Sequence, residues 1–229
     1  MEPGEYVEIA RAESERGEVV VRERQGDGPA GLELRVNGIF VMDTVETSSE
    51  TALAHQALRL VEEPSRVLIG GLGLGFTLDA VLGDPRVEHC TVVEIEDSLV
   101  RWMRDGTIPH GPGLLADDRL TLTVADVAIA LVEARPESYD LVLLDVDNGP
   151  GYLVYDANAA LYRVPFLESC RQAVAPGGVL VIWSADEASE LFAAMEGVFG
   201  NCRARACEVE VQDRHEHHWL YVSRVPSAS

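Results

Sequence analysis

Apolar residues along this chain follow two different rhythms, and the change falls near residue 49. Before it lie short alternating segments, Tyr6 to Ile9, Gly17 to Glu23, Leu32 to Val36 and Ile39 to Met42, separated by Gly, Asn and Asp; these predict strands. Asn37-Gly38 supplies the positive φ angles of a two-residue turn and predicts a tight hairpin. From Glu50 to Val61 the apolar residues Leu53, Ala54, Ala57, Leu58 and Val61 recur at helical spacing, with Ser48 or Ser49 placed to cap the helix.

Beyond that helix, apolar blocks at 66–70, 90–94, 120–124, 140–145 and 178–183 alternate with helical patterns near 75–82, 97–105, 127–134, 159–174 and 186–197. Five strand–helix steps of this kind predict a parallel, doubly wound sheet with right-handed crossovers. Two further strands, 203–211 and 217–223, are joined through Asp213-Arg214 with no helix between them and predict an antiparallel hairpin. The expected fold class is α/β with a small N-terminal β element, and a parallel sheet closed by an antiparallel hairpin resembles the Rossmann-like class I methyltransferase fold, a likeness of plan that fixes no substrate. The expected division is 1–48 for the β element and 49–229 for the catalytic domain.

At 229 residues and 47% apolar content the chain can bury one substantial core with a small extension. It has no apolar run long enough to cross a bilayer, and Met-Glu-Pro-Gly-Glu begins no basic-then-apolar leader, so a cytoplasmic protein without membrane partners is expected. A formal charge of −21 repels a phosphate backbone, which argues against nucleic acid and suits a small cationic or zwitterionic substrate. Cys90, Cys170, Cys202 and Cys207 have no C-x-x-C spacing and read as reduced structural residues. The N-terminal β element is a plausible meeting place for a homodimer.

The chemistry concentrates where the parallel strands should end, the edge at which open α/β sheets bind ligands. Val67-Leu68-Ile69 runs into Gly70, Gly71, Gly73 and Gly75 and then into a helix, so the backbone can approach a ligand that a Cβ would exclude. Glu94, at the tip of the next strand, stands where a carboxylate accepts from ribose hydroxyls. Together they predict an adenosine site. Asp126, followed by Val127, ends the third strand and can accept from an adenine amino group; the same position suits an ordinary helix cap. After the fourth strand, Asp145-Val146-Asp147-Asn148-Gly149-Pro150 places two carboxylates and an amide at the mouth of the sheet, able to hold an ammonium group or take its proton. These acids leave different strands and do not predict a metal site, and His215, His217 and His218 divide between the two faces of a strand. His55 and His110 are single histidines, and Ser184 and Cys170 have no base at a recognisable spacing.

These motifs resemble the spermidine synthase (polyamine aminopropyltransferase) family over nearly the whole chain. The likeness is carried by Val67 to Gly75, Val93-Glu94-Ile95-Glu96, Ala125-Asp126, Tyr139 to Asp145, and Leu161-Tyr162-Arg163 through Ala175-Pro176-Gly177-Gly178-Val179-Leu180-Val181. It implies that Glu94 holds the ribose, Asp126 the adenine, and Asp145 orients or deprotonates the attacking amine. Gly149 to Tyr162, with Tyr152, Tyr155 and Asp156, would be the loop that closes over the substrate. The family's glycine loop carries an aspartate that binds the free amine of decarboxylated S-adenosylmethionine (SAM); here the matching residue is Gly73. Intact SAM is therefore the expected ligand. The family's second acid falls at Asn148, with Asp147 one place before it, and the amine-facing tyrosine is replaced within Thr47-Ser48-Ser49-Glu50.

The expectation is a SAM-dependent transferase that directs a nucleophile at a carbon on the sulfonium, foremost on the aminocarboxypropyl arm with release of 5′-methylthioadenosine (MTA). Asp145 leads the catalytic candidates, with Asp147 and Glu50 beside it; Asn148, Tyr152 and Tyr155 are the substrate-loop candidates. Also open are intramolecular cyclisation of SAM to a three- or four-membered cyclic amino acid, methyl transfer, true spermidine synthesis, and a nonenzymatic SAM- or MTA-binding module.

Overall fold

Tyr6–Ser14 (β1), Gly17–Arg24 (β2), Leu32–Val36 (β3) and Ile39–Asp43 (β4) form an antiparallel meander in the computed structural model. The structure describes residues 6–25, 31–146, 149–151, 153–211 and 214–227, with side chains for all of these except 48–49, 208–211 and 214–216. Asn37, at φ 51°, and Gly38, at φ 74°, make the expected turn between β3 and β4. One face of the meander buries Val19, Val21, Leu34 and Val36 in a core cluster shared with the main sheet.

That main sheet has seven strands. Arg66–Gly70 (β5), His89–Glu94 (β6), Leu120–Val124 (β7), Tyr139–Leu144 (β8), Val174–Ser184 (β9), Arg203–Val211 (β10) and Arg214–Arg224 (β11) lie in the order β10-β11-β9-β8-β5-β6-β7. β5 to β9 pair in parallel, and β11 pairs antiparallel with both β9 and β10. Burial on both faces explains the unbroken apolar runs of β5 and β8. Val67, Ile69, Leu141, Leu143, Val179 and Val181 pack on one side, and Leu68, Val142, Leu144, Leu180 and Ile182 on the other. The first side is covered by Ser48–Leu58 (α1), Phe76–Leu82 (α2), Asp97–Asp105 (α3) and the meander. Val127–Glu133 (α5), Val164–Ala173 (α6) and Ser189–Phe199 (α7) cover the second. The short helix Gly111–Leu114 (α4) follows α3.

The chain runs from β5 outward through β6 and β7, then returns to place β8 on the other side of β5. The loops leaving β5 and β8 therefore diverge and open a crevice at the switch point. At the opposite end of these strands Arg66 pairs with Asp140, Nη2 to Oδ1 at 2.6 Å, while the Arg66 backbone N–H donates to Oδ2 at 2.8 Å. The two strands are thus held in register at both ends.

Several boundaries differ from the sequence expectation. The single helix expected over 159–174 is two pieces: a 3-10 helix at Asp156–Tyr162, then α6, with Arg163 extended between them at φ −108° and ψ 157°. Pro165 explains the restart, because a residue without an N–H is tolerated in the first turn of a helix and breaks an interior one. Helix α1 takes Thr47 as its N-cap residue, without a side-chain cap. The Pro109-His110-Gly111-Pro112 stretch reads as loop, but Gly111–Leu114 forms α4, packed against α3. β9 starts earlier than expected, running through Pro176 and two glycines, and β1 reaches Ser14. Among the described residues, no helix is long and apolar enough to cross a membrane.

Candidate active site

The glycine loop owes its shape to backbone contacts with its neighbours. Gly71 sits at φ +96°, donates its N–H to the Val93 carbonyl at 2.9 Å, and faces the Asp145 carbonyl so closely that a Cβ would land on it. Asp145 in turn donates its N–H to the Gly70 carbonyl at 2.9 Å. Gly73, at φ +51°, faces Met42 of β4, whose Sδ would lie 2.6 Å from a Cβ there and accepts the Leu74 N–H at 3.1 Å. His110 holds the loop from behind, its Nε2 bonded to the Leu74 carbonyl at 2.6 Å and its ring 5.5 Å from that of Phe76.

The loop borders a cleft of about 1130 Å³, counting solvent at its mouth, lined by the ends of β5, β6, β8 and β9, the first turns of α1 and α2, and the apolar face of the meander. Gly71 and Gly73 border it, whereas Gly70 faces Leu144 and Val127, and Gly75 faces Leu114 and Met103. Those two glycines permit close packing and helix entry behind the cleft.

Glu94 lines the cleft and is 6% exposed. Its Oε2 accepts the Leu72 N–H and its Oε1 the Glu96 N–H, each at 2.8 Å. Burial raises its pKa, and these two backbone donors oppose the rise. Asp126 combines the two roles open to it in the sequence: its Oδ1 caps α5 by accepting the Ala128 N–H at 2.7 Å, and its side chain, with that of the buried Val127, lines the cleft.

Across the cleft, Asp145 and Glu50 face each other from β8 and α1, and Thr77 of α2 donates its hydroxyl to Asp145 Oδ2 at 3.1 Å. Burial, then the charge of Glu50, push the Asp145 pKa up to about 7, against the lowering effect of the Thr77 hydrogen bond. A carboxyl poised there can take or return a proton near neutral pH.

Tyr155 also lines the cleft. Its hydroxyl donates to Glu96 Oε1 at 2.9 Å, and Arg16 Nε reaches the same oxygen at 2.9 Å while its Nη2 donates to the Ile95 carbonyl at 2.7 Å. Asn37 donates to the Val154 carbonyl at 3.4 Å and to the Arg16 carbonyl at 3.1 Å. Two turns of the meander thus fasten the segment around Tyr155 to the end of β6. Burial and the Glu96 carboxylate raise the Tyr155 pKa, so the phenol stays protonated and serves as a donor. Asp147, Asn148 and Tyr152 lie outside the described residues; Gly149, beyond the first two, packs against Ser184, whose hydroxyl donates to the Asp186 carbonyl.

The family model for the spermine/spermidine synthase domain matches residues 46–209, more than half of the chain. The chain belongs to the spermine/spermidine synthase family. Among curated relatives, putrescine N-methyltransferase 2 of Nicotiana tabacum is 32% identical over 153 residues, which cover 66% of this chain and 41% of that protein. A polyamine aminopropyltransferase of Halorhodospira halophila is 36% identical over 132 residues, covering 56% and 44%. The match spans less than half the length of either relative. Among solved structures, a spermidine synthase in complex with the transition-state analogue AdoDATO superposes with TM-score 0.81 at 20% identity, over 95% of this chain and 73% of that one. The spermidine synthase of Thermotoga maritima gives 0.80 at 20% identity, over 95% and 72%. These superpositions establish the fold.

The part matched by the spermine/spermidine synthase model begins after the meander, yet Val19, Leu34, Val36, Val41 and Met42 wall the cleft. The sequence did not place them at the site, nor Arg16, Thr77, Glu96 or Trp183. Thr77 carried a usable signal, a hydroxyl in the first turn of the helix that follows the glycine loop. Arg16 carried none, because its partners are some eighty positions away in the chain.

Proposed function

We propose that this protein transfers a carbon group from the sulfonium of SAM to the nitrogen of a small amine. The observation that carries this reading is the single cleft in which Asp145 and Glu50 face the wall formed by Gly71, Gly73, Glu94 and Asp126. On this reading Glu94 receives the ribose and Asp126 the adenine. Both of the acids already bind backbone N–H groups, which fixes their direction and leaves further lone pairs for the ligand. Asp145 accepts the proton of the incoming ammonium. The amine lone pair then attacks a carbon on sulfur, and the C–S bond breaks with its electron pair going to sulfur. Positioning supplies most of the acceleration, because the sulfonium is an activated leaving group. Asp147, Asn148 and Tyr152 remain the sequence's candidates for holding the acceptor.

Transfer of the aminocarboxypropyl arm releases MTA. Methyl transfer, releasing S-adenosylhomocysteine, is the second reading, and the similarity to a putrescine N-methyltransferase favours it. Met42 packed where a side chain at position 73 would stand supports intact SAM as the ligand, because the cleft then carries no carboxylate at that point to repel the SAM carboxylate. The test is mass spectrometry of the nucleoside and amine products after incubation with SAM alone, SAM with putrescine, and decarboxylated SAM with putrescine. Amine-dependent MTA or S-adenosylhomocysteine identifies the transferred carbon. MTA from SAM alone indicates cyclisation, decarboxylated SAM as the sole active donor indicates a polyamine synthase, and binding of MTA without turnover under any condition indicates a binding module.

A further inference from the structure

Trp183 has no role in the scheme above. Leu144 of β8 pairs in parallel with Ile182 of β9, so the residues that follow them, Asp145 and Trp183, leave adjacent strands side by side and on the same face of the sheet. Both line the cleft, as does Glu50 from the first turn of α1. The indole is half-buried and braced from the neighbouring strand β11, where Leu220 pairs with Trp183 and the His218 ring stands nearly perpendicular to it, 78° between planes and 4.9 Å between centroids.

An indole held in this way is a recognition element for cations. Its face carries the negative end of a quadrupole and attracts an ammonium group within about 6 Å of the ring centre, the more strongly as water is excluded. The two carboxylates beside it repel each other, and a cation placed among them relieves that repulsion. The indole differs from the carboxylates in one respect: it stabilises the charged nitrogen without competing for its proton.

We propose that Trp183 forms, with Glu50 and Asp145, a subsite for an alkylammonium acceptor, and that it selects acceptors by their positive charge. This rests on the reading of the cleft as an amine-alkylating site. Trp183 is then a specificity-determining residue for the acceptor and contributes nothing to the nucleoside.

The test is isothermal titration calorimetry on protein saturated with MTA, which fills the nucleoside side and brings no sulfonium. The probes are putrescine, n-butylamine and 1,4-butanediol, the last matching putrescine in length without charge. Both amines are expected to bind, with the diol at least about tenfold weaker. Trp183→Leu is expected to weaken the amines by about tenfold, within the range of a partly desolvated cation–aromatic contact. Trp183→Phe retains most of the affinity, and MTA binding is unchanged in both variants. Diol binding as tight as that of putrescine overturns the proposal on the wild-type protein alone, so it stays falsifiable if a variant misfolds. So does amine affinity unaltered in a Trp183→Leu protein that still binds MTA, or a Trp183→Leu defect seen for SAM and absent for the amines, which would assign the indole to the sulfonium. Wild-type protein that binds MTA and no amine refutes the subsite alone; failure to bind MTA refutes the reading beneath it.

Discussion

Gly71 and Asp145 meet backbone to backbone: the Cα of one faces the carbonyl oxygen of the other, at the point where β5 and β8 part. The contact brings the catalytic candidate against the glycine loop and admits only glycine, both for space and for φ +96°. Gly71→Ala is expected to destabilise the fold by about 2 kcal/mol or more, since strain at positive φ alone costs roughly 1–3 kcal/mol, and to weaken MTA binding with it. Urea unfolding and calorimetry check the two effects.

Asp145→Asn keeps the shape of the side chain and removes its proton chemistry. Turnover is expected to fall by about 100-fold or more, the usual scale of general acid–base catalysis, with MTA affinity retained. Unchanged turnover rules out the assignment.

The pH dependence of stability follows from the same group. The Asp145 pKa is raised from 3.8 to about 7 on folding, so between those values the folded state holds a proton that the unfolded state has lost. Its contribution is fully present below pH 3.8 and disappears as pH rises through 7. Asp145→Asn is expected to flatten this fall, which thermal melts at a series of pH values will reveal. The rate has the opposite trend, since a proton-accepting Asp145 must be ionised.

Thr77 steadies Asp145 through a hydrogen bond that favours the carboxylate. Thr77→Val is expected to move the acid limb of the rate profile upward by up to about one pH unit, the equivalent of a typical hydrogen bond. Thr77→Ser should restore it. A purely structural role would lower stability in both variants and leave the limb in place.

Arg16 is partly exposed, so its bond to Glu96 is screened and modest in strength. Arg16→Ala is expected to loosen the segment around Tyr155 and weaken MTA binding by roughly three- to tenfold, an effect of about 1 kcal/mol. Hydrogen exchange should rise at Val154 and Tyr155 while the central strands stay protected.

By itself the sequence determined the order of the main strands and helices, the closing hairpin and the edge of the sheet at which the cleft opens. The reason is local: β5 and β8 are apolar on both faces, Asn37-Gly38 is a turn by its own backbone preferences, and the glycines after Ile69 allow the chain to turn sharply at the strand end. Asp145, Glu94 and Asp126 were legible because each stands at or within two residues of the end of a strand that its apolar run marks out.

Tertiary structure decided the rest. Which glycines border the cleft depends on what packs behind them, and Leu114, Met103 and Leu144 come from distant parts of the chain. Glu50 belongs opposite Asp145, and Trp183 beside it, because α1 packs on β8 and β9 and because the strand register places Leu144 next to Ile182. The meander became a wall of the site only when Met42 reached Gly73 and Arg16 reached Glu96. These partners are set by packing and desolvation across long sequence separations, which periodicity and spacing along the chain do not record.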